Sequence, residues 1–126
     1  MSSILVVDDE PCVRDVCVQF LSMAGYEVDS SASGEEALEA VARRSYDLLI
    51  LDLCMGGMSG LAIFNRVKAT TPAAKAVILS CSADQFALEL EEARRNGLLG
   101  VLSKPFDLKA LSALVESALR GQMQAA

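Results

Sequence analysis

Short apolar runs recur along the chain, separated by longer segments with helical periodicity. Four runs are apolar at nearly every position, which is typical of strands covered on both faces of a parallel sheet. They span residues 4–7, 48–51, 77–79 and 98–102, the last broken by Gly100. A further segment, residues 26–29, alternates apolar and polar side chains and therefore predicts an edge strand.

Five helical segments follow these strands. The pattern places them at about residues 11–23, 33–44, 59–69, 84–96 and 107–120. Ser33 and Asp107 are the expected N-caps of the second and fifth helices, because their side chains can accept backbone N–H groups of the first turn. Gly25 and Gly97 are expected to end the first and fourth.

Strand and helix alternate five times without an internal repeat. This (βα)5 order predicts one α/β domain, in which helices sandwich a parallel sheet. The length of 126 residues fits a single domain. We expect the domain to occupy residues 1–120, and residues 121–126, which carry no periodic pattern, to form a flexible tail or the start of a linker.

Composition narrows the chemistry of this domain. The chain is 52% hydrophobic and only 5% aromatic, so its core is expected to be aliphatic. It has no histidine, which excludes Ser-His-Asp and Cys-His catalysts and histidine-ligated zinc. A net charge of -6 argues against direct binding of nucleic acid. No secretory signal and no apolar stretch of ~18 residues is present, so we expect a cytoplasmic protein without a membrane anchor.

The four cysteines are expected to be buried, reduced thiols. Cys12, Cys17, Cys54 and Cys81 form no CxxC pair, which disfavours a zinc site or a disulfide framework. Cys54 also suggests a redox sensor, but nearby carboxylates would oppose formation of its thiolate.

Carboxylates follow two of the predicted buried strands. Asp8 and Asp9 come directly after the first strand, and Asp52 ends the third. Ligands of an open parallel sheet bind beyond the carboxyl ends of its strands, so these three side chains are candidates for a site. Like charges at close range are costly without a cation among them. Mg2+, a hard ion with oxygen ligands, would satisfy them.

An aspartate beside Mg2+ and a lysine can accept a phosphoryl group. The carboxylate acts as the nucleophile, and the metal neutralises the phosphoryl oxygens. Lys104, after the fifth strand, supplies a second positive charge. A serine hydroxyl after the fourth strand, and the backbone N–H that follows it, could donate hydrogen bonds to the phosphoryl group. The phosphoryl donor would have to supply any histidine.

Four motifs in this order and spacing resemble the receiver domain of two-component response regulators, over residues 3–120. They are Ile4-Leu5-Val6-Val7-Asp8-Asp9-Glu10, the run from Asp52 to Gly60, Ser82-Ala83, and Lys104-Pro105-Phe106. The resemblance implies a flavodoxin-like, doubly wound (βα)5 three-layer sandwich, with a parallel five-stranded sheet in the order 2-1-3-4-5. It also implies a cis peptide bond between Lys104 and Pro105.

The resemblance implies a role for each matching residue. Asp52 is the expected phosphoacceptor. Asp8, Asp9 and Asp52 are the expected Mg2+ ligands, together with the backbone carbonyl of Cys54. Lys104 is the expected lysine that contacts the phosphoryl group.

The switch hydroxyl is a choice between two serines. The family places a Ser or Thr before an Ala, about 22 residues ahead of the lysine. Ser82 precedes Ala83 and lies 22 residues before Lys104, whereas Ser80 meets neither condition. We therefore favour Ser82, with the backbone N–H of Ala83 as a further donor to the phosphoryl group.

Two positions depart from the family pattern. Gly56 stands where a proline usually follows Met55, which predicts a more flexible loop. Val101 stands where the family has an aromatic side chain that rotates inward on activation. A valine cannot make that rotation, so the surface response near the fifth strand is expected to be altered.

The implied function is a phosphorylation-activated signalling switch of a two-component phosphorelay, rather than an enzyme. A sensor histidine kinase or phosphotransfer protein would phosphorylate Asp52 in a Mg2+-dependent reaction. The surface formed by helix 4, strand 5 and helix 5 would then change, regulating an unidentified output partner or domain. The same surface could support a homodimer. The length leaves no room for an output domain, which predicts a stand-alone receiver or a segment of a longer protein.

Two alternatives stay open at this point. A degenerate receiver acting as a constitutive protein-binding module would fit Gly56 and Val101. An enzyme on the same fold fits less well. A flavodoxin needs a phosphate-binding loop where this chain has the acidic turn Asp8-Asp9-Glu10-Pro11, and an aspartate-based phosphatase needs a second Asp where Cys54 stands.

Overall fold

Five strands and five helices alternate in a computed structural model that describes residues 2–55, 57–80 and 86–120. The strands are β1 (Ser3–Val7), β2 (Glu27–Ser31), β3 (Leu48–Asp52), β4 (Ala76–Ser80) and β5 (Leu98–Ser103). The helices are α1 (Pro11–Met23), α2 (Gly34–Arg43), α3 (Gly60–Thr70), α4 (Ala87–Arg95) and α5 (Leu108–Arg120).

The strands form one parallel sheet in the order β2-β1-β3-β4-β5. β1 pairs with both β2 and β3, so the winding of the chain reverses between β1 and β3. Such a switch point opens a crevice at the carboxyl edge of the sheet, where ligands of this architecture bind. The predicted flavodoxin-like sheet and its strand order are confirmed.

Each central strand sends alternate side chains into two separate cores. Leu5 and Leu49 pack with apolar residues of α2, α3 and α4 on one face of the sheet. Ile4 and Ile50, their neighbours in sequence, pack with apolar residues of α1 and α5 on the other. Because strand side chains alternate with a period of two, burial on both faces requires an unbroken apolar run. The predicted three-layer sandwich follows from this.

Polar caps begin three of the helices. In each, the cap side chain accepts a hydrogen bond from the backbone N–H three residues later: Ser33 from Glu36, Ser59 from Ala62, and Asp107 from Ala110. Gly25 and Gly97 follow α1 and α4 at φ values of 101° and 110°, which other residues rarely adopt. The predicted starts and ends at these positions are confirmed.

The start of α4 is less well defined by the sequence. The helix begins at Ala87 rather than near the predicted residue 84, and residues 81–85 lie outside the described ranges. Its N-cap residue is Phe86, whose side chain has no group that could accept a capping hydrogen bond. Val101 of β5 is half-buried and borders a cavity of about 370 Å3 beside α4.

Charged and polar side chains hold the edge strand β2 to the connection between α2 and β3. Arg44 pairs with Glu27 and, with 2.9 Å between Nη1 and Oδ2, with Asp29. The hydroxyl of Tyr46 donates to the same Oδ2 of Asp29 at 2.6 Å. The polar side chains that predicted an edge strand thus have partners, and charge along an edge also discourages pairing with another chain.

Tyr46 should ionise later than an ordinary tyrosine. Burial, followed by the hydrogen bond to Asp29, raises the pKa of Tyr46 to about 12. The protonated Tyr46 hydroxyl therefore contributes its full stabilisation of the folded state below the unfolded pKa of about 10. This contribution is lost as the pH rises from there through the folded pKa. Ultraviolet titration should show a late phenolate component that is absent from Tyr46→Phe and shifted to lower pH in Asp29→Asn. A late component that persists in Tyr46→Phe would contradict this assignment.

Candidate functional site

Three carboxylates meet at the switch point of the sheet. Val7 is in register with Leu51, which places the next residues of the two strands, Asp8 and Asp52, side by side. Asp9 follows Asp8 in the turn after β1. One carboxylate oxygen from each of the three aspartates lies within 4.8 Å of the other two. The predicted convergence of the three side chains is observed.

The two aspartates nearest the strands are removed from solvent. Asp8 is 0% exposed and Asp52 is 3% exposed, whereas Asp9 is exposed. Burial first, and then the charge of Asp8, raise the pKa of the Asp52 carboxyl above its usual range. Lys104 and the backbone N–H of Cys54 act in the opposite direction. Ionisation of the Asp52 carboxyl is therefore favoured by the positive charge nearby.

Lys104 brings an ammonium group into contact with both of them. Its Nζ lies 3.0 Å from Asp8 Oδ2 and 3.2 Å from Asp52 Oδ1, with Glu10 Oε1 at 3.4 Å. Burial lowers the pKa of Lys104, but its hydrogen bond to Asp8 and the charges of Asp52 and Asp8 outweigh that effect and raise it. Lys104 is therefore charged. Three carboxylates therefore contact this one ammonium group.

The peptide bond between Lys104 and Pro105 is cis, as the resemblance implied. Lys104 immediately follows β5, whose last residue, Ser103, pairs with Ser80 of β4. The long lysine side chain thus reaches from the end of an edge strand to the centre of the crevice.

Backbone hydrogen bonds fix the turn that carries Asp8. Asp8 Oδ1 accepts from the N–H of Glu10 at 2.9 Å, and the N–H of Asp8 donates to Ser31 O at 3.2 Å. Arg14 Nη1 donates to the carbonyl oxygen of Asp8 at 2.8 Å. These contacts hold the Asp8 carboxylate in position before any ligand binds.

Glu10 and Arg14 are site residues for which the sequence analysis predicted no role. Glu10 stands directly after the acidic pair, and Arg14 lies one helical turn further on, where its N–H donates to the carbonyl of Glu10 at 3.0 Å. A basic residue one turn into a helix that follows an acidic run is the signal that could have indicated Arg14.

The connection from β3 to α3 is held close to Asp52. The N–H of Leu53 donates to Leu79 O at 2.8 Å, and the N–H of Gly60 donates to Leu53 O at 3.2 Å. The backbone N–H of Cys54 hydrogen-bonds to the Asp52 carboxylate. The turn after the strand therefore orients the carboxylate that ends it.

The structure brings together Asp8, Asp9, Asp52 and Lys104 from the predicted set, with Cys54 in the adjoining turn. Ser82, Ala83 and Gly56 lie outside the described residues. The choice of Ser82 over Ser80 as the switch hydroxyl stays a prediction.

The prediction that the cysteines are buried holds only in part. Cys17 is buried, but Cys12 and Cys54 are exposed, because they lie in the first turn of α1 and in the turn after β3. Burial, and then the charge of Asp8, raise the pKa of the Cys17 thiol to about 11. All three are free thiols, and Cys81 is outside the described ranges.

The donor set of this site suits a hard divalent cation. Mg2+ binds through one or a few carboxylates and usually retains several water ligands. Asp8, Asp9 and Asp52 offer such oxygens at close spacing, and the exposure of Asp9 leaves one side of the cluster open to water. These residues could therefore hold Mg2+.

The chain belongs to the response regulator receiver family, because the family model for the response regulator receiver domain matches residues 4–116. Receiver domains are signalling domains of two-component systems. Among similar proteins, the DNA-binding transcriptional regulator NtrC of Escherichia coli K12 is 36% identical over 114 residues, 90% of this chain and 24% of NtrC. The transcriptional regulatory protein ZraR of Escherichia coli O157:H7 is 38% identical over 117 residues, 92% of this chain and 26% of ZraR. The chain thus spans about a quarter of the length of these curated relatives.

Solved structures agree with this family. The response regulator TrrA of Thermotoga maritima, crystallised in complex with Mg2+-BeF, is 33% identical with a TM-score of 0.83, over 94% of this chain and 99% of that one. A receiver domain protein from Clostridium thermocellum is 28% identical with a TM-score of 0.87, over the full length of both chains. Among the described residues, no helix has both the length and the apolar character needed to cross a bilayer.

Removing the charge of Lys104 should destabilise the metal-free protein. Lys104→Met leaves Asp8 and Asp52 buried without their shared cation, and breaking such a buried pair costs about 3 kcal/mol. Urea unfolding in the presence of a metal chelator measures this change. Adding Asp52→Asn to Lys104→Met should restore part of the loss, because one of the two buried charges is then removed.

Arg43→Met is the matched control for this measurement. Arg43 also pairs with a carboxylate, that of Glu39, but both side chains are exposed and lie one helical turn apart. Such pairs contribute about 0.5 kcal/mol or less. A loss in Lys104→Met no larger than that in Arg43→Met would show that Lys104 does not compensate the buried aspartates.

Proposed function

We propose that this chain is a phosphorylation-activated switch that accepts a phosphoryl group on Asp52. The supporting observation is a buried carboxylate that contacts Lys104 at 3.2 Å and lies within 4.8 Å of two further carboxylates. A carboxylate of this kind is a competent nucleophile toward phosphorus. Phosphoryl transfer requires mainly placement and charge stabilisation, which such a cluster with a metal and a lysine can supply.

Asp8, Asp9 and Asp52 would hold Mg2+, together with the backbone carbonyl of Cys54. Bound Mg2+ would neutralise negative charge on the phosphoryl oxygens. The contacts of Lys104 support this role, because among the described residues its one ammonium group meets three carboxylates, those of Asp8, Glu10 and Asp52. The similarity to TrrA, whose crystal holds Mg2+-BeF, supports it as well.

In the proposed reaction, a bond forms between an Asp52 carboxylate oxygen and phosphorus as the bond from phosphorus to the donor's imidazole nitrogen breaks. The donor histidine must lie on another protein, because this chain has none. The new group adds about -1.5 to -2 charges near Lys104. Lys104, already in contact with Asp52, would pair with phosphoryl oxygens, while the Ser82 hydroxyl and the Ala83 N–H would donate to them.

A sensor histidine kinase or phosphotransfer protein is the proposed donor, and an unidentified partner or domain is the proposed output. Movement of Ser82 and Lys104 toward the phosphoryl group would shift the surface formed by α4, β5 and α5, on which a second copy of the chain could also dock. Residues 1–120 would form the receiver, residues 121–126 a tail or linker, and the cytoplasm is the proposed location.

A constitutive binding module is the second candidate. The observation in its favour is Val101, a small half-buried side chain that borders the cavity beside α4. With no large side chain to reorient at this point, the α4–β5 surface would keep one form irrespective of the state of Asp52.

Asp52→Asn should abolish phosphorylation. Incubation with acetyl phosphate and Mg2+ should add one phosphoryl group to the unchanged protein, detected by intact-mass spectrometry, and none to the variant, because an amide is a poor nucleophile. Asp15→Asn, which changes an exposed aspartate of α1, is the control and should behave like the unchanged protein. Modification that survives in Asp52→Asn would exclude Asp52 as the acceptor.

Mg2+ should stabilise the folded chain. A ligand that binds only the native state raises its stability in proportion to the logarithm of ligand concentration. Millimolar Mg2+ should therefore raise the melting temperature of the unchanged protein and of Asp15→Asn. Asp9→Asn should lose most of the effect, since Asp9 is an exposed ligand whose replacement leaves the core intact. No response to Mg2+ or to beryllofluoride would favour the constitutive module.

A further inference from the structure

The first residue of α3 lies directly against the backbone of Asp52. A Cβ atom placed on Gly60 would be 2.4 Å from the carbonyl oxygen of Asp52, 3.0 Å from its carbonyl carbon and 3.3 Å from Ile78 Cδ1. Gly60 is not among the glycines at positive φ, so space rather than backbone torsion requires glycine here. The obstacle is backbone, which cannot rotate away as a side chain can.

We propose that Gly60 is a positioning residue for the phosphoryl acceptor, an inference that rests on the proposed phosphorylation of Asp52. The absence of a side chain lets the N-terminus of α3 approach until it touches the Asp52 carbonyl. In this position the N–H of Gly60 donates to Leu53 O at 3.2 Å, and the N–H of Leu53 donates to Leu79 O at 2.8 Å. These two bonds close the base of the turn formed by residues 53–59.

That turn holds the reactive group. The backbone N–H of Cys54 hydrogen-bonds to the Asp52 carboxylate, and the carbonyl of Cys54 is the proposed fourth protein ligand of Mg2+. Moving α3 outward to admit a methyl group at Gly60 would move either the Asp52 carbonyl or the turn above it. Either shift would change how the carboxylate faces Lys104 and the other aspartates.

The site is sensitive to a shift of this size. Asp52 Oδ1 is 3.2 Å from Lys104 Nζ, and the three aspartate oxygens lie within 4.8 Å of one another. Misplacing a reacting group by about 1 Å can cost about 100-fold in rate. Glycine at this position therefore contributes to phosphorylation without touching the phosphoryl group.

Val67 offers a control within the same helix. It is 2% exposed, packs in the core on the α3 face of the sheet, and lies two helical turns beyond Gly60. Val67→Ala removes buried apolar volume and should destabilise the protein without placing an atom against the backbone of Asp52. It therefore separates a loss of stability from a displacement of Asp52.

The test measures the initial rate of phosphorylation by acetyl phosphate at saturating Mg2+, and the Mg2+ dissociation constant by calorimetry. Circular dichroism and thermal melting verify that each variant is folded. Gly60→Ala should slow phosphorylation by about 10-fold to 100-fold and weaken Mg2+ binding. Val67→Ala should lower the melting temperature but change both quantities much less. A purely structural role for Gly60 would alter the melting temperature and leave the rate per folded molecule unchanged.

Amide hydrogen exchange of the unchanged protein provides a second measurement that needs neither metal nor phosphodonor. The amides of Gly60 and Leu53 should exchange as slowly as those within the central strands, because they donate to Leu53 O and Leu79 O, respectively. If Gly60→Ala does not fold, this measurement still tests whether α3 is held against the turn after β3, as the positioning role requires. Exchange as fast as that of exposed loop amides would overturn the positioning role.

The remaining outcomes separate the two hypotheses. Equal rates in Gly60→Ala and the unchanged protein, or equal losses of rate in Gly60→Ala and Val67→Ala, would overturn the inference while leaving Asp52 as the acceptor. If the unchanged protein accepts no phosphoryl group, the proposed function fails. The positioning role of Gly60 is then tested by Mg2+ binding and by hydrogen exchange alone.

Discussion

Two carboxylates buried side by side, those of Asp8 and Asp52, impose the main constraint on this molecule. They lie at the carboxyl ends of neighbouring parallel strands at the switch point. The register of these strands brings their carboxylate oxygens within 4.8 Å of each other. Buried like charges at such range are unfavourable without a cation. Lys104 from the far edge of the sheet supplies one, and the donor set leaves room for a divalent metal. The chemistry of the site follows from meeting this electrostatic demand.

The rest of the fold keeps that arrangement rigid. Two aliphatic cores, one on each face of the sheet, fix the relative positions of β1, β3 and β5. The charged side chains of β2 have their partners away from the site: Arg44 and Tyr46 hold the strand through Glu27 and Asp29. The carboxyl edge of the sheet can therefore hold the charged side chains and the turns of the site. This division explains how a chain with an acidic surplus keeps a stable sheet beneath an acidic site.

Much of this architecture could be predicted from the sequence. The features that could not be predicted depend on the geometry of the backbone. Apolar runs predicted the strands because burial on both faces leaves no room for polar side chains, and Asp8, Asp52 and Lys104 stood at strand ends. Arg14 was missed because its partner is a backbone carbonyl, so only its position one turn after the acidic run could have indicated it. The steric role of Gly60 was missed because it depends on how closely a helix approaches a strand. The exposure of Cys12 and Cys54 likewise depends on turn geometry rather than on residue type.

The contacts of Lys104 also determine how information could move through the sheet. Its single ammonium group touches side chains that belong to the ends of two other strands, β1 and β3, while its backbone continues β5. One positive charge cannot satisfy every neighbour equally, so a change in charge on either aspartate alters its pull on the other. The charges at the ends of these three strands are therefore electrostatically coupled. Lys104 thus provides a direct electrostatic link between the centre of the sheet and its β5 edge.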